Sequence, residues 1–223
     1  MDKWTSKERF FFKAGQKKMT GMLEMIDKMC RENNLKYWCL GGTLIGAIRH
    51  KGWIPFDGDV DIGMLEEDYN ILKKLKVPDR YWFQDKEIDK NYTVDICKFR
   101  YLDAYYIDFS NSKDYYARHW LNGIQVDIFV FRQEKNKIVS TLPLGWQGSD
   151  IKTYNKDEIL PLKELSFEGI NVYVPNKYDK ICSEIFGGYP PPMPPIEKQY
   201  PNEGRISFTI PDWIKEKYPE FYK

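Results

Sequence analysis

Asp57, Asp59 and Asp61 stand at every second position of the segment DGDVDIG, with Val60 and Ile62 flanking the last of them. An extended strand points alternate side chains to the same face, so Asp59 and Asp61 project together while Val60 and Ile62 enter a core. Two carboxylates about 4 Å apart repel by roughly 4 kcal/mol at an effective dielectric near 20. A fold carries that cost where a cation neutralises the pair, and hard oxygen ligands of this kind suit Mg2+ or Mn2+. Phosphoryl-transfer chemistry asks for a third acid, because carboxylates shared between divalent cations clamp the attacking and leaving oxygens. Asp127 is the best candidate. It interrupts the apolar run Val126-Asp127-Ile128-Phe129-Val130-Phe131, where a charge faces either a site or an ion-pair partner. Position alone does not choose between those two readings.

A calcium loop of the EF-hand type also begins D-x-D-x-D, but it needs Gly at its sixth position and Glu at its twelfth. Here those positions hold Ile62 and Asp68, and Leu65 stands at the ninth, so that reading fails. A solvated acidic turn explains Asp57 but not the interleaved Val60 and Ile62. Shortly before the acids lies Gly41-Gly42-Thr43, and backbone amides at such a glycine turn can hold phosphate oxygens. A plain turn is the commoner use of a double glycine. Between turn and acids, Arg49-His50-Lys51 forms a basic cluster in which Arg49 or Lys51 could neutralise a phosphate or pyrophosphate. His50 is read as a hydrogen-bonded structural residue, and His119 carries no signal.

Elements must hold these groups in place. Met19, Met22, Leu23, Ile26, Met29 and Cys30 recur at three- and four-residue spacing, which predicts a core-facing helix over about 5–33. Tyr37–Leu40 reads as a buried strand ending in the glycine turn, Thr43 as the cap of a short helix Leu44–Arg49, and Val60–Met64 as the next strand. Glu66-Glu67-Asp68 opens a helix through Leu75, with acids where the macrodipole favours them. Strands are expected at Tyr81–Phe83, Val94–Tyr101, Ala104–Phe109 and Gly123–Phe131. From 142 to 160 the pattern loosens into loop or short helix. A hairpin turning at Glu168-Gly169 is expected within Phe167–Val174, then a helix Lys177–Phe186 stopped by Gly187-Gly188. The tract Pro190–Pro195 is expected to pack against its own domain.

With 223 residues the chain has the size of one domain, 1–223, comprising the N-terminal helix, a catalytic core of about 37–131 and C-terminal elements of about 140–223. A net charge of +1 gives no basic field and argues against nucleic acid. No run of 18 apolar residues and no signal-type N-terminus is present, which points to a cytoplasmic location without a transmembrane segment. Cys30, Cys39, Cys97 and Cys182 lack C-x-x-C spacing, so free thiols are expected rather than zinc.

The block GGTLIGAIRHKGWIPFDGDVDIGM closely resembles the signature of the LicD/fukutin family, in the nucleotidyltransferase (polymerase-beta-like) superfamily. VDIFVF resembles that family's later acidic strand, and LSFEGINVYVPNKYDKICSEIFGGYPPPMPP resembles its closing motifs, so the likeness runs over roughly 18–195. Gly58 and Phe56 depart from an acid and a Trp common in the family. The resemblance implies an α+β fold: a nucleotidyltransferase-like mixed β-sheet flanked by helices. Unlike Golgi-resident relatives the chain shows no evident stem or anchor, so a compact member of the family is expected. Asp59 and Asp61 match the metal-binding D-x-D, and Asp127 the third acid. Gly41, Gly42, Thr43, Arg49 and Lys51 would then contact a nucleotide-linked donor. Characterised relatives move a phosphorylated alcohol from CDP-choline or CDP-ribitol onto a sugar hydroxyl of a glycan or glycolipid, which implies a Mg2+- or Mn2+-dependent phosphotransferase releasing CMP. Two other readings stay open: NMP transfer from an NTP, and a non-catalytic glycan-binding relative. The aromatics of Tyr101–Trp120, among them Tyr105, Tyr106, Tyr115, Tyr116 and Trp120, could cage a choline ammonium, though packing is their commoner use.

Overall fold

The computed structural model describes residues 5–106, 123–144, 150–195, 199, 206–217, 219–220 and 222. In chain order the elements are α1 (Ser6–Glu32), β1 (Tyr37–Cys39), α2 (Gly41–Arg49), β2 (Val60–Leu65), α3 (Glu66–Leu72), β3 (Tyr81–Gln84), β4 (Cys97–Tyr106), β5 (Gly123–Glu134), β6 (Lys137–Ser140) and β7 (Thr153–Asn155). They continue through α4 (Lys156–Ile159), β8 (Lys163–Phe167), β9 (Ile170–Val174), α5 (Tyr178–Phe186), β10 (Ile206–Ser207) and α6 (Asp212–Lys217). The main sheet runs β1-β2-β5-β4-β10, with β3 also on β4 and the β6-β7 ribbon extending β5. β2 and β5 are parallel while their neighbours pair antiparallel, so the sheet is mixed and the fold is α+β.

α1 begins at a capping box. The Thr5 hydroxyl accepts from the Glu8 amide, and the Glu8 carboxylate accepts from the Thr5 amide at 2.7 Å. Its predicted stripe is the face that packs: Met19, Met22, Leu23, Ile26 and Cys30 are all fully buried against the sheet, together with Val60, Ile62, Val126 and Ile128. Gly15 lets β10 approach, since a Cβ there would fall 2.3 Å from Ile206 Cδ1. Glu168 and Gly169 turn the β8-β9 hairpin with positive φ at both positions, the backbone a two-residue type I′ turn requires. Gly187 closes α5 in the left-handed conformation.

Several boundaries differ from the sequence reading, each for a physical reason. α2 begins at Gly41 rather than Leu44. Its N-cap is Leu40, which makes no side-chain cap, and Thr43 instead turns its hydroxyl toward β2. The glycine pair is thus the first helical turn, entered through Gly41 at φ +47°. The two strands expected between 94 and 109 are one, β4, with an irregularity in its pairing to β5 between Arg100 and Tyr105; residues 107–109 lie outside the described residues. α3 ends at Leu72, short of Leu75. The loose stretch 142–160 contains β7 and the single turn α4, started by an Asn155–Glu158 capping box. Among the described residues no helix is long and apolar enough to cross a membrane.

Candidate metal centre

Asp61 lies on β2 and Asp127 on β5, and parallel pairing puts them directly opposite one another. Asp59 precedes β2 by one residue. Val60 and Ile62 are fully buried in the core, so alternation sends the acids to the other face. Side-chain oxygens of Asp59, Asp61 and Asp127 lie within 4.8 Å of one another. Asp61 and Asp127 are 8% and 7% exposed, which denies them most of the screening that water gives surface acids.

A cation from a third strand meets this charge. Lys98 on β4 is the register partner of Asp127, is itself buried, and places Nζ 2.6 Å from Asp127 Oδ1. Asp127 therefore answers to both of its sequence readings, a member of the acid cluster and half of an ion pair. Lys98 is in turn opposite Gln84 on β3, so Asp61, Asp127, Lys98 and Gln84 form a polar row across four adjacent strands. Arg100, two residues along β4 on the same face, is 1% exposed. It donates to the Gln84 side chain, to the Gly123 carbonyl and to Gln125 Oε1. Gln84 passes the contact on to Asp89, donating from Nε2 to Oδ2 at 2.9 Å.

Sequence reasoning missed Lys98 and Arg100. A signal was present, since they alternate with Cys97, Phe99 and Tyr101 as polar members of an otherwise apolar strand. Their relevance depends on which strand lies beside β5, and local pattern does not carry that.

The start of α2 is fastened to the acidic strand by two hydrogen bonds. The Asp61 amide donates to Thr43 Oγ1 at 2.9 Å, and the Leu40 amide donates to the Asp61 carbonyl at 3.0 Å. Gly41, Gly42 and Thr43 are thus brought to the acids. At Gly42 a Cβ would fall 2.2 Å from Asp57 Oδ2, so the Asp57 carboxylate rests against the first turn of α2, where a helix N-terminus favours negative charge. The loop that carries Asp57–Asp59 is held from behind: Gln16 Nε2 donates to the Asp57 carbonyl at 2.7 Å, and the Tyr106 hydroxyl to the Gly58 carbonyl at 3.0 Å.

Arg49 and Lys51 are placed differently, at the far end of α2, about 12 Å of helical rise from Gly41. Arg49 donates to the Pro191 and Pro192 carbonyls, and so ties the proline tract to the fold. Lys51 is exposed, and its carbonyl accepts from the Glu168 amide at the hairpin turn. His50 lies beside Arg49, where burial and the neighbouring guanidinium push its pKa below the ordinary value. Of the aromatics read as a possible ammonium cage, Tyr101 carries Lys18 Nζ 3.8 Å over its ring and Tyr106 braces Gly58. Tyr115, Tyr116, Trp120 and also His119 lie outside the described residues. A cleft of about 1190 Å3 opens at the opposite end of β2, lined among others by Leu65, Asn34, Asn136 and Tyr173 rather than by the acids.

Among the described residues the donor set is three carboxylates on neighbouring backbone positions, with no thiol or imidazole in the cluster. That chemistry fits a hard divalent cation such as Mg2+ or Mn2+.

Comparisons with known proteins agree with this architecture. Residues 34–177 match the family described as LicD/FKTN/FKRP, nucleotidyltransferase domain. An uncharacterized protein of Rickettsia prowazekii is 34% identical over 149 residues, 67% of this chain and 46% of the relative. Human ribitol 5-phosphate transferase FKRP is 26% identical over 182 residues, 78% of this chain and 31% of the relative. Lipopolysaccharide cholinephosphotransferase LicD of Haemophilus influenzae is 39% identical over 64 residues, 29% of this chain and 22% of the relative. The chain thus spans less than half the length of these curated relatives. With the family match covering most of the catalytic core and its acids converging from separate strands, the chain belongs to the LicD/fukutin family, as a nucleotidyltransferase domain.

Proposed function

We propose that this chain is a divalent-metal-dependent phosphotransferase that moves a phosphorylated alcohol from a CDP-linked donor to a sugar hydroxyl of a glycan or glycolipid, releasing CMP. The observation that carries the proposal is the gathering of Asp59, Asp61 and Asp127 within 4.8 Å beside the glycine-led start of α2, in a chain of this family. The relatives named as ribitol 5-phosphate and choline phosphate transferases support the substrate class.

In this reading Asp59, Asp61 and Asp127 hold Mg2+ or Mn2+, which when bound supplies Lewis-acid stabilisation of charge on the phosphate oxygens. The chain's own groups do the rest by position and electrostatics. The bond formed joins the acceptor oxygen to the phosphorus bearing the alcohol. The bond broken is that phosphorus's bond to the bridging oxygen, whose electron pair leaves with CMP, and the hydroxyl proton passes to solvent. Gly41 and Gly42 offer first-turn amides, and a helix N-terminus attracts phosphate oxygens. Thr43, whose hydroxyl accepts from the Asp61 amide, keeps that turn in register with the acids. Asp127 acts through position and charge, with one of its oxygens, Oδ1, held by the Lys98 ammonium at 2.6 Å. Arg49 and Lys51 assist a donor only from the far end of α2, and we assign them no direct contact.

The test is incubation with CDP-choline, CDP-ribitol and CDP-glycerol in MgCl2, following CMP by chromatography. CMP from one donor, abolished by EDTA and by Asp61→Asn, supports the reading. Pyrophosphate release from an NTP would instead move the chain to nucleotidyl transfer, and chelator-insensitive glycan binding without turnover would make it a binding protein.

A further inference from the structure

We infer that Lys98 is a built-in counter-ion of the acid cluster, a positioning residue that takes the place of a second divalent cation in the donor-free protein and limits it to one resident metal. The inference rests on the proposed metal-dependent reading and specifies how that site is charged.

Three observations carry it. First, Lys98 is a register partner of Asp127, so backbone pairing delivers it to the cluster; it is not a surface side chain that happens to reach in. Second, its Nζ lies 2.6 Å from Asp127 Oδ1 with both side chains about nine-tenths buried. A divalent ion binds a carboxylate oxygen at about 2.0–2.6 Å, so it cannot share that oxygen's approach with the ammonium without close cation–cation contact. Third, a two-metal site sets its ions about 3.5–4 Å apart, so a second divalent ion in this cluster would lie close to the buried Lys98 ammonium, which already occupies Oδ1 of Asp127. Among the described residues Arg100, also on this face, is held by Gln84, Gln125 and the Gly123 carbonyl and is linked through Gln84 to Asp89.

The experiment is Mn2+ binding to the donor-free protein, by calorimetry and by electron paramagnetic resonance of free Mn2+. The wild type is expected to take up one Mn2+ per chain. Lys98→Gln, which keeps a hydrogen-bond donor for Asp127 without the charge, is expected to bind the first Mn2+ at least tenfold more tightly and to admit a second. Lys98→Arg, retaining the charge, is expected to keep a stoichiometry of one. Two Mn2+ of comparable affinity in the wild type, or unchanged binding in Lys98→Gln, would overturn the inference while leaving the metal-dependent reading intact. If the wild type binds no Mn2+ at all, the metal-dependent reading falls and this inference with it. The wild-type count needs no substitution, so a variant that fails to fold does not shield the inference.

Discussion

Replacing Asp61 with Asn separates a functional acid cluster from a structural one, because the two make opposite predictions about stability. The clustered oxygens lie within 4.8 Å. At about that separation two carboxylates repel by roughly 3.5 kcal/mol for an effective dielectric near 20. Asp61 faces two such neighbours and is 8% exposed, so water screens little of this. Lys98, paired to Asp127, offsets part of it. Asp61→Asn keeps the shape and one acceptor oxygen while deleting the charge. With the offset included, we expect the metal-free protein to gain about 1–2 kcal/mol, a rise in Tm of roughly 3–6 °C for a chain of this size. Asp127→Asn makes the contrast, since it leaves the buried Lys98 without its carboxylate and should lose about 3 kcal/mol. The assay is calorimetric melting in EDTA, repeated in saturating MgCl2. There the wild type gains the binding free energy that Asp61→Asn forgoes, and the order of the two inverts. A lower Tm for Asp61→Asn in EDTA would refute the reasoning, for it would mean the carboxylate stabilises the fold on balance.

Other expectations follow from the core and from burial. Gly63→Ala puts a methyl 2.6 Å from the fully buried Trp38 ring and should cost about 2–3 kcal/mol, read as a lower midpoint in urea; an unchanged midpoint would show that the indole can shift. Burial pushes the Cys97 thiol up to about 11 and those of Cys30 and Cys182 up to about 12, with Cys39 raised further. At pH 8 under about 0.1% of each is thiolate, so Ellman's reagent should label the native chain over hours and all 4 thiols at once in guanidinium. Rapid native labelling would contradict this burial. Burial works to raise Glu158, but the Lys180 ammonium and the Asn155 cap outweigh it and hold the carboxyl below its ordinary 4.5. A depressed folded pKa gives stability that is present above the unfolded pKa, about 4.3, and is lost as pH falls through the folded value. Glu158→Gln should therefore lower Tm at pH 7, with the gap to wild type closing below about pH 4. A gap independent of pH would point to packing rather than charge.

What could be read from the sequence follows the range over which each signal acts. The α1 stripe, the Glu168-Gly169 turn and the Gly187 cap are local patterns, and they stand where the spacing put them. Asp59 and Asp61 were legible because strand alternation is also local, and because two charges alternating with buried Val60 and Ile62 ask for a partner. Asp127 was legible as an anomaly within an apolar run, yet its pairing to Asp61 depends on β2 and β5 being neighbours some 60 residues apart in sequence. Lys98 and Arg100 depend on a further strand, β4, and their partners Gln84 and Gln125 come from β3 and β5. Thr43 has the right residue type for a cap, but the acceptor it offers is spent on the Asp61 amide, a tertiary contact that outranks local capping. Arg49 reads from the sequence as a cation that could neutralise a phosphate, and its bonds to the carbonyls of the proline tract about 140 residues downstream are a tertiary contact that no local pattern carries.

The measurement closest to the central claim is CMP release from a panel of CDP-alcohols in MgCl2, run side by side on the wild type and Asp61→Asn after both are shown to be folded. The account predicts CMP from at least one donor with the wild type, lost on chelation and reduced at least a thousandfold in the variant, an effect on the order of 4 kcal/mol in the barrier. Equal CMP release by the two proteins, or release from the wild type that persists in EDTA, would contradict it.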